Sequence, residues 1–368
     1  MLHLTVSLAG SGYHPASWRV SRLPPRPDAA AIRQMARAAE RGRLDAILLG
    51  LPVDASAGSA NVNALPLDPL PLLGSLIGVT RHIGIGAAWT VDYTEPFHVA
   101  RVFASLDHLS YGRTAWIADM FGTEALMPRI GRPPQATGIG QYCERAGEFV
   151  DVVKKLWDSW EDAALALDKA SGMFVDPERV HPIEHDGSRF TVRGPLNVPR
   201  PPQGNPVLVM HDPSDGHTRQ FVALTADVVL MSGESLELAR QRYRELRALA
   251  SSRQLCVLAN IGVVLGETEI AAQHRAAELD AMLPPPAGLR FIGTPEQLVE
   301  LFALWQQEGA CDGLNLLPEV LDDLDLLVDR AVPLGQSRGL LRADYAGTTL
   351  REHFGLSRPP SQYEGATR

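Results

Sequence analysis

Residues 83–118 read IGIGAAWTVDYTEPFHVARVFASLDHLSYGRTAWIA, and this stretch decides how the chain folds. Ile83 to Ala88 and Arg113 to Ala118 are short, mostly apolar runs of the kind that form buried strands. Phe97 to Leu109, which lies between them, carries apolar residues at helical spacing. Two strands joined by a helix lie parallel in one sheet, so the stretch predicts a strand–helix–strand unit.

The same alternation extends in both directions, from Leu2 to Leu341. The predicted strands are Leu2 to Ala9, Asp45 to Leu49, Ile83 to Ala88, Arg113 to Ala118, Pro206 to Met210, Asp227 to Met231, Leu255 to Leu265 and Gly313 to Leu317. The predicted helices are Asp28 to Gly42, Leu70 to Thr80, Phe97 to Leu109, Cys143 to Trp160, Asp215 to Leu224, Leu236 to Ala250, Glu269 to Met282, Pro295 to Glu308 and Leu321 to Leu334. About eight parallel strands separated by helices are typical of an α/β fold, the closed (β/α)8 TIM-type barrel. A doubly wound open sheet is the alternative, since periodicity does not show closure.

Two segments depart from this alternation. Within a single barrel of residues 1–341, the segment Asp162 to Gln203 is too long for an ordinary loop. We expect it to be an ordered insertion after the fourth strand that packs on the barrel. Residues 342–368 form a C-terminal extension that ends in Pro-, Ser- and Gly-rich sequence. We expect this arm to be mobile or to wrap on a neighbour, which makes it a candidate dimer arm.

The composition restricts the class of protein and its partners. With 368 residues, 45% of them hydrophobic, the chain can bury a large core. The formal charge of -9 and the lack of a Lys/Arg block argue against a nucleic-acid partner, which needs a clustered basic surface. The three cysteines, Cys143, Cys256 and Cys311, are widely spaced and favour a reducing compartment, so we expect a cytoplasmic protein. We predict no signal peptide and no membrane-spanning segment.

Short segments spread over most of the chain resemble one known family. They are residues 12–19 (GYHPASWR), 38–45 (AAERGRLD), 95–101 (EPFHVAR), 105–113 (SLDHLSYGR), 156–162 (LWDSWED), 168–172 (DKASG), 190–197 (FTVRGPLN), 309–315 (GACDGLN) and 347–353 (GTTLREH). The family is that of the bacterial luciferase-like flavin-dependent monooxygenases, in the branch that oxidises nitrilotriacetate, dimethyl sulfide and dibenzothiophene sulfone.

This resemblance implies a TIM-type barrel that forms a homodimer. It also implies an enzyme that takes reduced FMN from a separate flavin reductase and uses dioxygen to oxidise a small organic substrate. In such an enzyme the cofactor carries the hard chemistry, while the protein orients the ring and excludes water.

Chemistry in a barrel takes place at the carboxyl ends of the strands, so the residues after each apolar run are candidate flavin contacts. After the third strand the family places a threonine, where this sequence has Ala88 followed by Trp89. After the fourth strand the family places an asparagine, where this sequence has Ile117. The resemblance therefore predicts that these three residues face the flavin, with fewer hydrogen bonds than the family usually provides.

The helix after the fourth strand opens with Arg-Tyr in the family, a pair suited to phosphate and ring contacts. In one register Tyr142 and Cys143 match that pair, and in the register shifted by one residue Gln141 and Tyr142 match it. Both registers place Tyr142 at the cofactor, and the first adds Cys143.

After the fifth strand the family has a turn of small residues whose backbone N–H groups approach the FMN phosphate at a helix start. This chain has residues 210–216 (MHDPSDG) there, which makes Met210, His211 and Ser214 the predicted cofactor contacts. Pro213 has no N–H, and the two aspartates of the turn add negative charge near the expected phosphate.

Three residues are candidate catalytic groups. His14 matches the active-site histidine of the family's Gly-x-His segment, and Tyr142 and His211 are further polar candidates. Between Leu283 and Gly293 the chain lacks a longer loop-and-helix region that the family carries near the substrate, so we expect a more open pocket.

Other functions stay open at this point. The main alternative is a barrel that has lost FMN and acts as a partner subunit or ligand-binding protein, since each lost charge-assisted contact costs roughly 1.5–3 kcal/mol. A further alternative is a barrel-top reaction with another cofactor or none. No metal is predicted, because neither His211–Asp212 nor the pair His181 and His185 has a specific ligand spacing.

Overall fold

The structure is a computed structural model that describes residues 1–23, 29–50, 67–120, 131, 139–213, 215–233 and 235–363. Its strands are β1 His3–Leu8, β2 Ala46–Leu49, β3 Gly84–Thr90, β4 Thr114–Asp119, β5 His185–Asp186, β6 Thr191–Val192, β7 Val207–His211, β8 Val228–Met231, β9 Cys256–Leu265, β10 Arg290–Gly293 and β11 Gly313–Pro318. Its α-helices are α1 Ser17–Val20, α2 Ala29–Arg41, α3 Pro69–Ile77, α4 Pro96–Ser110, α5 Ile139–Asp158, α6 Gly216–Thr225, α7 Leu236–Ala250, α8 Glu269–Met282, α9 Pro295–Glu308, α10 Asp323–Leu326, α11 Val332–Ser337 and α12 Leu350–His353. A π-helical turn, Leu327–Ala331, joins α10 to α11.

Eight strands of the described residues close into a barrel. The order around it is β1, β2, β3, β4, β7, β8, β9 and β11, and all neighbours are parallel. β11 pairs back with β1, from His3 opposite Gly313 to Val6 opposite Leu316. This last pairing excludes the open sheet, and the predicted (β/α)8 barrel is confirmed.

Alternate residues of the strands fill the barrel interior. The strand residues of this buried cluster are Ala46, Leu48, Ala115, Ile117, Val207, Val209, Val228, Leu230, Cys256 and Leu258. The residues between them, such as Leu208 and Val229, face the helices and belong to a separate, larger core. The two faces follow from the two-residue period of a strand. Because the interior is packed, a ligand has to bind at an end of the barrel.

The predicted barrel strands agree with the observed ones to within two residues at each end, as for Leu255 to Leu265 against β9. Helix ends differ more, since α5 begins at Ile139 and ends at Asp158. Asp28, the predicted start of the first helix, lies outside the described residues. Strand β10 was not predicted at all; it pairs with residues 262–265 of β9, outside the barrel.

The insertion between α5 and β7 is ordered and packs on the barrel. Its strands β5 and β6 form a small antiparallel hairpin. Phe190 and Leu196 are buried in the main core. Arg200, also buried, donates to Asp158 Oδ1 of α5 at 2.8 Å and so ties the end of the insertion to that helix.

Residues 342–363 cover the amino-terminal end of the same barrel. Leu350, Phe354 and Leu356 are buried in the barrel-interior cluster. Leu350 packs so closely on β3 that a Cβ added at Gly84 would lie 2.3 Å from its Cδ1 atom. These residues are ordered on their own barrel, because their apolar side chains complete its interior cluster, and contact of the arm with a neighbour stays a prediction.

Candidate active site

A pocket of about 260 Å³ opens at the carboxyl ends of β7, β8, β9 and β11. Its polar lining includes Tyr13, His211, Asn260, Arg290 and Glu319. The volume lies just below the roughly 300–1,000 Å³ of small-molecule sites, so the described residues form a large part of such a site. This is the end of a (β/α)8 barrel at which chemistry takes place.

His211 ends β7, with its ring at the pocket wall. Its Nε2 atom is buried and has no hydrogen-bond partner among the described residues. Burial lowers the pKa of His211 to about 4. The imidazole is therefore neutral near pH 7 and leaves Nε2 for a ligand, which agrees with its predicted place at the site.

The lowered pKa of His211 makes stability depend on pH. Because the folded-state pKa, about 4, lies below the usual 6.5, the neutral ring stabilises the fold above pH 6.5, and this contribution is lost as the pH falls toward 4. We expect His211→Gln to remove this pH-dependent contribution to stability, because glutamine does not titrate. Urea unfolding of both proteins at pH 7 and pH 4 should show the wild type losing up to about 3 kcal/mol relative to the variant. An equal loss in both proteins would contradict a buried neutral imidazole.

Asn260 lies on β9 at the pocket and belongs to a polar network inside the barrel. Its Oδ1 accepts a hydrogen bond of 2.8 Å from Nδ2 of Asn315, a fully buried residue of β11. Asn315 Oδ1 in turn accepts from the hydroxyls of Thr5 and Ser7, at 2.9 and 3.1 Å. These buried polar atoms do not destabilise the fold, because their hydrogen bonds to one another replace those lost to water.

Arg290 and Glu319 form one side of the pocket. Arg290 donates to both carboxylate oxygens of Glu319, at 2.6 and 2.7 Å, and to both oxygens of Asp280, at 2.7 and 2.9 Å. Burial raises the pKa of Glu319, and the neighbouring guanidinium opposes that rise. With two carboxylates around one guanidinium, this wall has no unpaired positive charge to offer an anionic ligand.

His14 lies behind that wall and is not part of the pocket lining. The ring is fully buried, its Nδ1 accepts from the N–H of Ala16 at 3.1 Å, and its Nε2 lies 3.3 Å from Asp280 Oδ1. Burial lowers the pKa of His14. Its catalytic role stays a prediction, and from this position the ring would act through Asp280 and Arg290.

The charged side chains of the turn after β7 bond to groups of the protein itself. Asp215 caps α6 by accepting from the N–H of Thr218 at 2.9 Å. Asp212 accepts from Arg219 at 2.9 Å and from Arg242 at 2.7 Å. A helix start that already holds a carboxylate offers little to a phosphate dianion.

Of the other two contacts predicted here, the one within the described residues is not at the pocket. Met210 points toward the helices, because it alternates with the inward-facing Val209. Ser214 lies outside the described residues.

The positions predicted after β3 and β4 also lie off the described pocket. Ile117 is fully buried in the barrel interior, and Ala88 packs against the same cluster. Trp89 turns the other way, toward α4, where its ring centroid lies 6.2 Å from that of Phe103. Because side chains alternate along a strand, Ala88 and Trp89 point to opposite faces of the sheet. These positions therefore do not support a shared contact with the cofactor.

Tyr142 and Cys143 begin the second turn of α5. Tyr142 packs against the main core. Cys143 Sγ lies 3.7 Å from Thr218 Oγ1, and burial raises the pKa of its thiol. Neither residue lines the described pocket, so their predicted cofactor contacts remain predictions.

Of the residues that line the pocket, sequence reasoning identified only His211, and the polar ones that it missed are Tyr13, Ser232, Asn260, Arg290 and Glu319. Asn260 carried a signal, since it is a polar residue inside the apolar run of β9. Glu319 follows directly on the end of β11, where barrel chemistry is expected. Arg290 lies on the unpredicted strand β10, so nothing in the strand pattern marked it.

The described residues provide neither a metal centre nor a membrane-spanning helix. No group of three or more His, Cys, Asp or Glu side chains in the described part of the chain is placed to hold a metal ion. His181 Nε2 lies 2.8 Å from Glu161, and His185 Nε2 lies 3.2 Å from Glu148. Across the described ranges, no helix combines the length and the apolar character that a bilayer crossing needs.

The described residues fit the ring of a flavin better than its phosphate. Asn260 and the unpartnered Nε2 of His211 offer hydrogen bonds at the pocket, beside the apolar side chain of Leu317. A polar heterocycle needs this combination of a few fixed polar groups and an apolar wall. The start of α6 does not provide a phosphate site, because Asp215 occupies it.

Comparison with known proteins agrees with this architecture. The family model of the luciferase-like monooxygenases matches residues 3–287. The chain is 33% identical to N-acetyl-S-(2-succino)cysteine monooxygenase of Bacillus subtilis (strain 168), over 98% of each chain. It is also 33% identical to nitrilotriacetate monooxygenase component A of Aminobacter aminovorans, over 95% of each.

A solved structure shows the same fold over almost the whole length. EDTA monooxygenase from Chelativorans sp. BNC1 superimposes with a TM-score of 0.86 at 27% identity, and the match covers 97% of this chain and 99% of that one. The alignment with the Bacillus protein spans 437 positions, more than the 368 residues of this chain, so that relative carries segments that are missing here. The family match over most of the barrel and the relatives matched end to end lead to one conclusion: the chain belongs to the luciferase-like monooxygenase family.

Proposed function

We propose that this protein is the oxygenase of a two-component system, which binds reduced FMN from a separate flavin reductase and uses dioxygen to oxidise a small organic substrate. The observation that carries the proposal is the pocket at the carboxyl ends of the strands, where Asn260 and His211 keep polar atoms for a ligand. Similarity to monooxygenases over nearly the whole chain supports it. A homodimer and a cytoplasmic location remain predictions.

Each pocket residue has a distinct part in this function. Asn260 and His211 would hold the ring through hydrogen bonds, and Leu317 would pack on its face. Because His211 is neutral, it can accept or donate a hydrogen bond without placing a charge beside the ring. When bound, reduced FMN supplies the electrons that activate dioxygen. The buried interior beneath the pocket keeps water away from the ring on that side.

The charge of the pocket supports a proposal about the class of substrate. Arg290 is already paired with Glu319 and Asp280, so this wall does not favour a polycarboxylate. Relatives include dimethyl-sulfide monooxygenase of Hyphomicrobium sulfonivorans and dibenzothiophene-sulfone monooxygenase of Rhodococcus erythropolis, whose named substrates are uncharged. We propose an uncharged substrate for this chain too.

Turnover tests the proposed function. The protein is supplied with NADH, FMN and a flavin reductase held behind a dialysis membrane, under ¹⁸O₂. We expect one labelled oxygen atom in the product of dimethyl sulfide or dibenzothiophene sulfone, and at least about tenfold less turnover with nitrilotriacetate, because desolvating its carboxylates beside Glu319 is costly. Faster turnover of nitrilotriacetate would contradict the proposed substrate class. Absence of label from every compound would contradict the oxygenase.

The alternative of a barrel without flavin chemistry has less support. Three curated relatives that are 31–33% identical over 90% or more of this chain are monooxygenases. That alternative was motivated by replaced residues in four segments: after the third strand, after the fourth strand, at the start of α5 and in the turn after β7. Of these residues, Ala88 and Ile117 lie away from the described pocket. Their substitution therefore says little about whether this pocket binds a flavin.

A further inference from the structure

The side chain of Asn260 has one polar atom to offer a ligand. Its Oδ1 is occupied by the hydrogen bond from Asn315 Nδ2, at 2.8 Å. Its Nδ2 carries two N–H donors and has no partner in the part of the chain that the structure describes. Asn260 is partly exposed and lines the pocket, so Nδ2 is the atom that a ligand meets.

Asn315 determines which atom of Asn260 is presented. Thr5 Oγ1 donates to Asn315 Oδ1 at 2.9 Å, and Ser7 Oγ donates to the same atom at 3.1 Å. The amide nitrogen of Asn315 donates to Ser7 Oγ at 3.0 Å as well as to Asn260 Oδ1 at 2.8 Å, so it is this nitrogen that faces Asn260. An amide nitrogen can only donate, so Asn260 must turn its oxygen inward and its nitrogen toward the pocket.

We propose that Asn315 is a positioning residue that, through Asn260, presents a fixed hydrogen-bond donor to a carbonyl oxygen or unprotonated ring nitrogen of the flavin. This inference rests on the proposed function and goes beyond it, because it assigns a role to a residue that touches neither cofactor nor substrate. Hydrogen bonds at ring nitrogens and carbonyls are one way in which a protein tunes a flavin. The reduced ring is the more electron-rich acceptor, so a fixed donor favours the reduced form over the oxidised one.

The experiment compares Kd values for reduced FMN, measured anaerobically, with those for oxidised FMN. Asn260→Asp keeps the shape of the side chain but replaces the donor with an acceptor. We expect reduced FMN to bind at least about tenfold more weakly to this variant, which is the loss of one good hydrogen bond. The binding of oxidised FMN to the same variant should weaken by less than about threefold. Leu317→Val is the matched control, which changes the packing of the pocket and should affect both forms equally.

A double-mutant cycle tests whether Asn315 acts through Asn260. In the wild-type background Asn315→Leu should raise the Kd for reduced FMN by about tenfold. In the Asn260→Ala background the same substitution should raise that Kd by less than about twofold. Equal effects in both backgrounds would overturn the positioning role. If Asn315→Leu fails to fold, Asn260→Asp still decides the matter, since unchanged binding of reduced FMN by that variant would overturn the donor. A wild type that binds no flavin would overturn the proposed function together with this inference.

Discussion

Replacing Asp227 with alanine should lower the free energy of unfolding by about 3–5 kcal/mol. Asp227 is buried just before β8 and accepts from Arg351 of α12 at 2.7 Å, from Arg253 at 3.2 Å and from the N–H of Leu208 at 3.0 Å. Without its carboxylate, two guanidinium groups remain close together, and no other carboxylate of the described residues pairs with them. Since Arg351 belongs to the C-terminal arm, the loss also loosens the arm from the barrel.

Urea unfolding checks this value. Glu267→Ala is the control, because Glu267 pairs with Arg330 on the surface and such exposed pairs contribute about 0–1 kcal/mol. If Asp227→Ala lowers the free energy of unfolding no more than Glu267→Ala does, the buried ion cluster does not stabilise the fold. The docking of residues 342–363 on their own barrel would then be contradicted as well.

Gly12→Ala should disrupt the pocket and the loop that follows β1. Gly12 has a φ of +142°, and a Cβ added there would lie 2.2 Å from the carbonyl oxygen of Glu319, a backbone atom that cannot rotate away. The neighbouring N–H groups of Tyr13 and His14 donate to the carbonyls of Pro318 and Glu319, at 2.8 and 3.1 Å. The substitution must therefore separate Tyr13 from Glu319, which are both pocket residues. We expect a loss of stability of about 2–4 kcal/mol and reduced-FMN binding weaker by about 100-fold.

The matched control is Gly140→Ala in α5. An added Cβ at Gly140 meets nothing within 4 Å, and alanine is the better helix former, so we expect no loss of stability and no change in FMN binding. Unfolding in urea and anaerobic titration of both variants provide the comparison. Unchanged binding by Gly12→Ala would show that the loop after β1 is not part of the cofactor pocket.

The barrel could be predicted from the sequence because its strands are short apolar runs at regular intervals. Leu255 to Leu265 and Gly313 to Leu317 match β9 and β11 to within one residue. Closure itself is a long-range property, seen only in the pairing of β11 with β1. Strand β10 could not be predicted, because Arg290–Gly293 is short and has no alternating pattern of apolar and polar residues.

The site was harder to predict, because a sequence gives the strand end but not the direction of each side chain. Trp89 and Ile117 were both expected at the flavin, yet one faces α4 and the other the packed interior. His14 was expected in the active site, and its contact with Asp280 of α8 depends on two segments that are far apart in sequence. His211 lies at the pocket because the expected end of its strand, Met210, is within one residue of the observed end and the side chain of His211 faces that way.

The central claim is that the carboxyl end of this barrel binds reduced FMN. Anaerobic titration of the purified protein with reduced FMN, followed by flavin absorbance, tests it most directly. The account predicts saturable binding of one flavin per chain with a Kd on the order of micromolar, and weaker binding by Asn260→Asp. No binding even at about millimolar reduced FMN would contradict it.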